Sequence, residues 1–330
     1  MIKKYVKITA IFCSLALCAA VLLFPVAKRT KYFAATGAEA KSRYTFLICG
    51  FDKTSKNTDV MMLASLDTEK NALNILQIPR DTFVNPESFG VTRVNAIYAS
   101  LARQGEKAEE KLCKTLSAAL CVEIDGYVFM DTAAFARIVD AVGGVEYDVP
   151  FDMDYEDPVQ GLYIHLKAGK QVLDGKSAEA FIRYRAGYAT GDIGRVEARS
   201  GFMRAMLACV REKLSLARAV GVAAELISAV DTNVSAAQTA FFAARLYAVE
   251  TENVSVKTIS GSALQNPETG AWIYYALNKR EALNDINTYM RPADGAALYE
   301  DFDRDAIFTD DPKGKNPYIS KYYYSKIKKE

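Results

Sequence analysis

An arginine and an aspartate follow an apolar stretch whose last residue is a proline. In residues 73–82, Pro79 ends the apolar run and is followed by Arg80 and Asp81. Proline has no N–H to donate to a sheet and favours extended geometry in the residue before it, so we predict that a strand ends at Pro79. Arg80 is then the first side chain beyond the sheet.

Two further apolar runs, at residues 44–49 and 60–66, precede this strand. If the three runs form an antiparallel meander, the end of the first, the start of the second and the end of the third lie at one edge. That edge collects four charged side chains: Asp52, Asp59, Arg80 and Asp81. Three carboxylates and one guanidinium suit a hard divalent cation with a phosphate-like anion. A surface cluster of ion pairs is the alternative interpretation.

A second group of charges surrounds a glycine-rich break and consists of Arg183, Arg185, Arg195 and Arg199. The last two are four positions apart, so they share a face near the start of a predicted helix, where the helix dipole also favours an anion. Like charges in this arrangement repel each other unless an anion lies between them. The alternative is pairing with nearby acids, namely Glu179, Asp192 and Glu197.

The remaining pattern predicts alternating strands and helices. Predicted helices cover residues 95–104, 107–120, 132–142, 178–184, 195–213, 214–230, 235–249 and 279–290, with Ser177 as the N-cap of the fourth. Further strands are predicted at residues 127–130, 145–149, 162–166 and 254–259, with a solvated loop at 151–158 and a turn at 167–175. The alternation indicates an α/β fold, an α-β-α sandwich with a central mixed, partly antiparallel sheet.

The N-terminal segment has the pattern of a membrane anchor. Residues 8–27 contain no charge and are long enough to cross a bilayer as one helix, and basic residues flank them on both sides. We therefore predict a cytoplasmic tail at 1–7, a single transmembrane helix at 8–27 and a linker at 28–43, with the bulk of the chain outside the cytoplasm. A cleaved signal peptide is the alternative, because Ala38-Glu-Ala40 has the small-x-small form of a processing site.

The charge distribution argues against nucleic-acid binding. The formal charge of the whole chain is +1. The six basic residues around the anchor contribute +6 and the tail from Arg291 is neutral, so residues 32–290 carry a net charge of about −5. Such a domain lacks the basic footprint that nucleic acid requires. The cysteines show no C-x-x-C pair and are typical of buried small hydrophobes, although a Cys113–Cys121 disulfide is conceivable outside the cell.

The single histidine, His165, lies in a predicted strand without an evident ligand partner. A Ser-His-Asp triad or a histidine-based zinc site is therefore not indicated. The sequence also contains no phosphate-binding glycine loop after a strand. The carboxylates and arginines remain, and they favour phosphoryl transfer or diphosphate binding with a divalent metal.

The sequence resembles the LytR-CpsA-Psr family of membrane-anchored cell-envelope transferases. Six motifs occur in the family's order: Asn57-Thr-Asp-Val-Met-Met-Leu63, Ile78-Pro-Arg-Asp-Thr82, Arg93-Val-Asn-Ala-Ile-Tyr98, Val142-Gly-Gly-Val145, Ile182-Arg-Tyr-Arg185 and Gly191-Asp-Ile-Gly-Arg195. The resemblance covers residues 44–290, which we expect to form the catalytic domain. Residues 291–330 lie outside it and are predicted to be a loosely ordered tail.

The resemblance implies transfer of a glycopolymer phosphate, such as teichoic acid or capsular polysaccharide, from an undecaprenyl-pyrophosphate carrier to a peptidoglycan hydroxyl. By position in the motifs, Asp52 and Asp59 would hold Mg²⁺ or Mn²⁺. The diphosphate would be bound by arginines, namely Arg80, Arg183, Arg185 and Arg195. Asp81 is our hypothesis for the base that accepts the proton of the attacking hydroxyl. The alternatives are that it caps Thr82 or holds Arg80 in place.

One departure from the family pattern follows Arg195. Ala198 replaces an arginine, and Arg199 stands where the family has a glutamine that reaches the diphosphate. A guanidinium can make that bond, so the resemblance implies retained activity with a changed strength or acceptor preference. The alternative functions are a non-catalytic protein that binds polyprenyl diphosphate or wall polymer, and a lipid pyrophosphatase.

Overall fold

The computed structural model describes residues 41–51, 56–84, 92–105, 107–158, 162–184, 187–188, 192–265 and 272–291. Its strands are β1 (Arg43–Phe51), β2 (Thr58–Asp67), β3 (Ala72–Gln77), β4 (Phe83–Val84), β5 (Thr92–Arg93), β6 (Gly126–Asp131), β7 (Val145–Val149), β8 (Met153–Asp157), β9 (Leu162–Leu166), β10 (Gly169–Leu173), β11 (Asp231–Thr232), β12 (Val254–Thr258), β13 (Gly261–Gln265) and β14 (Trp272–Leu277). Its helices are α1 (Val94–Arg103), α2 (Ala108–Leu120), α3 (Thr132–Ala141), α4 (Gly175–Arg183), α5 (Asp192–Lys213), α6 (Leu216–Leu226), α7 (Ala236–Tyr247) and α8 (Lys279–Tyr289).

The central sheet contains six strands in the order β11-β6-β1-β2-β3-β12. β2 and β3 are antiparallel, because Ile78 N at the end of β3 donates to Met61 O near the start of β2 at 2.9 Å. β3 and β12 are parallel, because Ile259 N after β12 donates to Gln77 O at the end of β3 at 3.0 Å. The predicted α/β fold with a central mixed sheet is therefore confirmed. β3 therefore lies between β2 and β12, and the residues that follow it lie at the edge where it ends.

The chain divides into two compact units. The second unit comprises Tyr44–Ser65, Asn74–Phe129 and the described residues from Ser255 on. Its first helix, α1, buries a face with helical spacing, which consists of Val94, Ile97, Tyr98 and Leu101. The Tyr98 hydroxyl donates to Glu109 at the start of α2 at 2.8 Å. The two amphipathic helices predicted here are thus present, and their packed apolar faces hold the start of α1 in place.

The first unit comprises Leu66–Leu73, Met130–Val254 and the described residues up to Arg43. Its core is aromatic: Tyr147 on β7 packs on Phe181 of α4 and Phe202 of α5 at ring-centroid distances of 5.0 and 5.5 Å. The Tyr147 hydroxyl also donates to Ala198 O at 3.0 Å. These contacts fix α4 and α5, which carry most of the second arginine group.

The acidic segment predicted as a solvated loop is a strand. β8 pairs with β9 in antiparallel register, with Asp154 opposite His165. Only Met153 in β8 is buried, so the acidic side chains concealed the strand pattern. His165 contacts two carboxylates of the paired strand: its Nδ1 lies 2.6 Å from Asp154 and its Nε2 lies 3.3 Å from Glu156.

Two local predictions near α4 are corrected. The predicted turn at residues 167–175 contains strand β10, which pairs with β7. The N-cap of α4 is Asp174 rather than Ser177, and the Asp174 carboxylate accepts from Ser177 N at 2.8 Å. Both residue types are good caps, and the helix begins at Gly175, three residues earlier than predicted.

The sequence also predicted a membrane anchor and allowed a Cys113–Cys121 disulfide. Within the described ranges, no helix is long and apolar enough to span a membrane, and the predicted anchor at residues 8–27 lies outside those ranges. The described cysteines, Cys49, Cys113, Cys121 and Cys209, are free thiols, so the structure contains no Cys113–Cys121 disulfide. The predicted tail at residues 291–330 is, apart from Arg291, also outside the described residues.

The contact between α3 and α4 requires glycine at the first position of α4. A Cβ added to Gly175 would lie 2.3 Å from Ala136 O and 2.6 Å from Asp140 Oδ2. We expect Gly175→Ala to lower the free energy of unfolding by about 1–3 kcal/mol, because the backbone must shift to remove the overlap. Urea unfolding monitored by circular dichroism measures the loss.

Gly221→Ala is the matched control, because its added Cβ would meet no atom within 4 Å inside α6. We expect this change to stabilise the chain by about 0.5–1 kcal/mol through helix propensity. Equal effects of the two substitutions would contradict the packing argument.

Candidate functional site

The turn that follows β3 is closed by its own hydrogen bonds and held by backbone hydrogen bonds to two other elements. Thr82 donates to Pro79 O through both its N–H at 2.9 Å and its hydroxyl at 2.6 Å, which closes the turn. Arg80 O accepts from Asn95 N of α1 at 3.2 Å, and Asp81 O accepts from Tyr275 N of β14 at 2.9 Å. The Arg80 and Asp81 side chains therefore project from a fixed backbone.

Four alternating charges meet at this turn. Arg80 Nη1 lies 2.7 Å from Asp59 Oδ1, and Arg80 Nε lies 3.6 Å from Asp81 Oδ2. On the other side of the carboxylate, Asp81 Oδ1 lies 3.4 Å from Nη1 of Arg93. The side chains are between 30 and 42% exposed, so the cluster is open to a ligand. The structure thus brings together Asp59, Arg80 and Asp81, as the meander predicted.

Arg93 belongs to this cluster although the sequence analysis did not assign it a role. It pairs with Phe83 across the short β4–β5 ladder and immediately precedes α1. Its guanidinium carbon lies 5.2 Å from the centre of the Tyr274 ring, a cation–π distance. The one signal in the sequence was that Arg93 begins the motif Arg93-Val-Asn-Ala-Ile-Tyr98. The residues around it do not predict that β5 lies beside the turn after β3.

Of the two predicted metal ligands, the described residues include one. Asp59 is present at the start of β2, whereas Asp52, the second predicted ligand, lies outside them. The described part of the chain contains no group of three or more His, Cys, Asp or Glu side chains arranged for a metal ion. Mg²⁺ commonly takes one or two carboxylates together with substrate phosphates and waters, so Asp59 fits as one such ligand.

The second arginine group lies in the first unit. Arg183 pairs with Glu179 one turn earlier in α4, at 3.2 Å, which is the pairing considered as the alternative. Arg195 is 8% exposed on α5. Arg199 Nε donates to Ile182 O at 3.0 Å, and its Nη2 donates to the same oxygen. Arg199 therefore ties α5 to the C-terminal end of α4. Arg185 lies outside the described residues.

Tyr188 lies beside this second group. Its ring packs edge-on against Phe151 at a centroid distance of 5.1 Å. Burial raises the pKa of the Tyr188 hydroxyl, and the Arg199 and Arg195 guanidinium groups act in the opposite direction. No composition or spacing signal in the sequence identifies this residue. The diphosphate role predicted for the arginines of this unit stays a prediction.

Tyr275 makes the stability of the second unit sensitive to alkaline pH. Burial raises the pKa of the Tyr275 hydroxyl from 10.0 to about 12, and Asp285 and Glu281 add to the rise. The hydroxyl donates to Ile259 O at 2.7 Å. Because the folded pKa exceeds the unfolded one, the stability contributed by the neutral phenol is complete below pH 10. It is lost as the pH rises towards 12, by up to about 1.4 kcal/mol per pH unit.

We therefore expect Tyr275→Phe to reduce the fall in the free energy of unfolding between pH 10 and 12, at the cost of about 1 kcal/mol at neutral pH. Urea unfolding from pH 7 to 12 measures both effects. Tyr163→Phe is the control, because Tyr163 is 52% exposed. An unchanged alkaline fall in Tyr275→Phe would contradict the assignment.

Comparison with known proteins identifies relatives of this chain. A family model described as the LytR_cpsA_psr family matches residues 24–291. TagV of Bacillus subtilis, named as a polyisoprenyl-teichoic acid–peptidoglycan teichoic acid transferase, is 28% identical over 181 residues, which are 54% of this chain and 45% of TagV. TagU of Oceanobacillus iheyensis, with the same transferase name, is 26% identical over 257 residues, or 75% of each protein.

A third relative, the cell wall biosynthesis protein LcpA of Corynebacterium glutamicum, is 26% identical over 176 residues, which are 47% of this chain and 33% of LcpA. The match thus spans under half of TagV and a third of LcpA.

Solved structures show the same fold. The crystal structure of B. subtilis TagV has a TM-score of 0.63 and 24% identity, covering 80% of this chain and 99% of that one. The protein gbs0355 from Streptococcus agalactiae has a TM-score of 0.68 and 19% identity, covering 84% and 96%. TagT bound to LIIa-WTA has a TM-score of 0.58 and 20% identity, covering 76% and 91%.

Proposed function

This chain belongs to the LytR-CpsA-Psr family, and from that premise we propose that it transfers a glycopolymer phosphate from a polyprenyl-diphosphate carrier to a peptidoglycan hydroxyl. The names of TagV and TagU, both teichoic acid transferases, support the reaction class. The observation that carries the proposal is the open charge cluster at the end of β3. Arg80 lies there on a fixed backbone and pairs with the predicted metal ligand Asp59 at 2.7 Å.

A guanidinium at this position suits a diphosphate for a geometric reason. Its planar fork presents parallel N–H groups that match two phosphate oxygens, and the charge opposes the negative charge of the transition state. The Arg80 side chain is 30% exposed, so part of it is accessible from solvent. Because the backbone is held by α1 and β14, Arg80 needs no reorganisation of the main chain to meet a ligand.

The proposed reaction is a phosphoryl transfer. The hydroxyl oxygen of the acceptor attacks the phosphorus that carries the glycopolymer and forms a phosphodiester. The bond from that phosphorus to the bridging diphosphate oxygen breaks, and polyprenyl monophosphate leaves. The proton of the hydroxyl passes to a base or to solvent. Positioning and charge neutralisation supply most of the rate enhancement in such reactions.

A divalent cation, Mg²⁺ or Mn²⁺, belongs to this proposal. Asp59, together with Asp52, would hold it, and the bound ion would neutralise charge on the diphosphate. The exposure of the Asp59 side chain, 34%, is compatible with a ligand that also meets water and substrate oxygens.

The proposed location follows from the sequence of the N-terminal segment. The uncharged residues 8–27 would anchor the chain in the cell membrane, with the family domain on the outer side. The carrier lipid would then lie in the same bilayer as the anchor, and the peptidoglycan acceptor would lie on the same side as the domain. No nucleic-acid partner is part of the proposal.

The test uses the full-length chain purified in a mild detergent. It is mixed with a lipid-linked glycan diphosphate, peptidoglycan and Mg²⁺, and the product is detected as glycan covalently attached to the wall polymer. We expect Mg²⁺-dependent attachment with release of polyprenyl monophosphate in equal amounts. Arg103→Gln, at the exposed C-terminal end of α1, is the variant expected to match the wild type.

Two outcomes would replace this proposal. Saturable binding of the carrier without attachment would indicate the non-catalytic binding protein. Release of phosphate from the carrier in the absence of peptidoglycan would indicate the lipid pyrophosphatase.

A further inference from the structure

We propose that Arg93 is a second anion-binding residue of this site, and that it contacts the second phosphate of a diphosphate while Arg80 contacts the first. The inference rests on the proposed function, because it assigns a further residue to the same site. It also assigns Asp81 a positioning role between the two guanidinium groups.

Asp81 lies between two cations that approach its two oxygens. Arg80 Nε is 3.6 Å from Oδ2, and Arg93 Nη1 is 3.4 Å from Oδ1. Both distances exceed those of a charge-assisted hydrogen bond, which are about 2.7–2.9 Å. The Oδ1 atom is buried and makes no hydrogen bond in the described structure. The carboxylate therefore holds both arginines by charge without engaging their donors fully.

Arg93 is oriented by its neighbours rather than by a tight ion pair. Its guanidinium lies over the Tyr274 ring at 5.2 Å, and that ring packs on Phe83 at a centroid distance of 4.0 Å. Phe83 is fully buried and lies opposite Arg93 in the β4–β5 ladder. An aromatic platform anchored in the core thus fixes the plane of the guanidinium at low entropic cost.

The donors of Arg93 are available to a ligand. A guanidinium has five N–H groups. Among the residues that the structure describes, the contacts of this one are the loose approach to Asp81 and the face-on contact with Tyr274. The side chain is 42% exposed, more than that of Arg80. A stacked, partly exposed guanidinium with unused donors is a suitable phosphate ligand.

The ligand class follows from the pair. Arg80 and Arg93 flank one carboxylate, so their charged groups are separated by the width of that carboxylate. Two neighbouring cations held at such a separation suit two neighbouring phosphates better than one. The site should therefore prefer a diphosphate over a monophosphate, and Arg93 should supply part of that preference.

The test measures binding rather than turnover. The full-length chain in detergent is titrated with geranyl diphosphate and with geranyl monophosphate, with Mg²⁺ present, by isothermal titration calorimetry. We expect Arg93→Gln to weaken diphosphate binding about tenfold and to leave monophosphate binding within about twofold, because one charge-assisted contact is lost. Arg93→Lys should recover part of the loss, since it keeps the charge without the fork.

Two controls separate a binding role from a structural one. Arg103→Gln removes the same charge from the exposed far end of α1 and should bind both probes like the wild type. The thermal midpoint of each variant reports folding, and Tyr274→Phe retains the ring face beneath Arg93. If Arg93 positions a phosphate, Tyr274→Phe should bind like the wild type, whereas Tyr274→Leu should lose affinity.

The positioning role of Asp81 has its own readout. Asp81→Asn should weaken diphosphate binding in the wild type by several fold, and this effect should shrink in the Arg93→Gln background, because the carboxylate acts through the arginines. If Asp81 instead served only as the base, Asp81→Asn would reduce turnover and leave diphosphate affinity unchanged. That result would overturn the assignment of Asp81.

The remaining outcomes are distinct. Equal diphosphate affinity in wild type and Arg93→Gln, with loss in Arg80→Gln, would overturn the role of Arg93 and leave the proposed function intact. Absence of diphosphate binding by the wild type would overturn the proposed function itself. Equal losses for diphosphate and monophosphate in Arg93→Gln would refute the assignment to the second phosphate.

Discussion

Substitution of Arg80 by alanine is expected to lower the rate of glycan attachment by about 10²–10³-fold. In the proposed reaction Arg80 would donate to charge that develops on the phosphoryl group, and loss of one such preorganised donor raises the barrier by about 3–4 kcal/mol. The backbone of this turn is held by Asn95 N, which donates to Arg80 O, and by Tyr275 N, which donates to Asp81 O. Initial rates with lipid-linked glycan diphosphate measure the effect.

Arg80→Lys separates charge from geometry. Lysine keeps the charge and loses the planar fork, so we expect an intermediate rate. The control is Arg103→Gln, and a thermal midpoint within a few degrees of the wild type shows that Arg80→Ala is folded. An Arg80→Ala enzyme with wild-type rates would exclude a role for this residue in the chemistry.

The second large effect is expected for Asp59→Asn. Asparagine keeps the shape of the side chain and removes the negative charge that a divalent cation requires. We expect attachment to fall by about 10²-fold at fixed Mg²⁺ and the concentration of Mg²⁺ for half-maximal rate to rise by at least about tenfold. Binding of Mn²⁺, followed by its electron paramagnetic resonance signal, should weaken in parallel and does not depend on turnover.

The control for Asp59 is Glu69→Gln. Glu69 is an exposed acid in the turn after β2, at the opposite end of the strand that Asp59 begins. It should leave both the rate and Mn²⁺ binding unchanged. Wild-type Mn²⁺ affinity in Asp59→Asn would contradict the proposed metal ligand.

The sequence predicted the part of the site that depends on local pattern. Pro79 marks the end of the β3 segment, and the short turn at residues 67–71 forces β2 and β3 to be antiparallel, so Asp59 and Arg80 had to meet. Their 2.7 Å contact confirms this step. The amphipathic spacing likewise predicted α1 and α2 within about one residue at each end.

The sequence could not predict contacts made by short strands. β4 and β5 have two residues each, too few for a period-2 pattern to appear. The pairing of β4 with β5 places Arg93 beside Asp81. A single bridge between Thr82 and Tyr275 of β14 places the Tyr274 ring beneath Arg93. These are tertiary contacts between segments separated by about 10 to 190 residues, so composition and spacing carry no record of them.

The strand β8 was missed for a different reason. Its outward face carries Asp154 and Glu156, which normally disfavour strands. Their contacts with His165 on the paired strand offset that preference. A single-sequence pattern weighs each residue alone and cannot include a partner eleven positions away.

Arg199 makes the end of α4 depend on a side chain of α5. Two of its nitrogens hold one carbonyl, Ile182 O, at the last turn of α4. Glutamine at this position would be a shorter side chain with a single amide group, and the end of α4 would lose both hydrogen bonds. Any shorter side chain at position 199 would therefore have to be compensated by another contact that secures the same helix end.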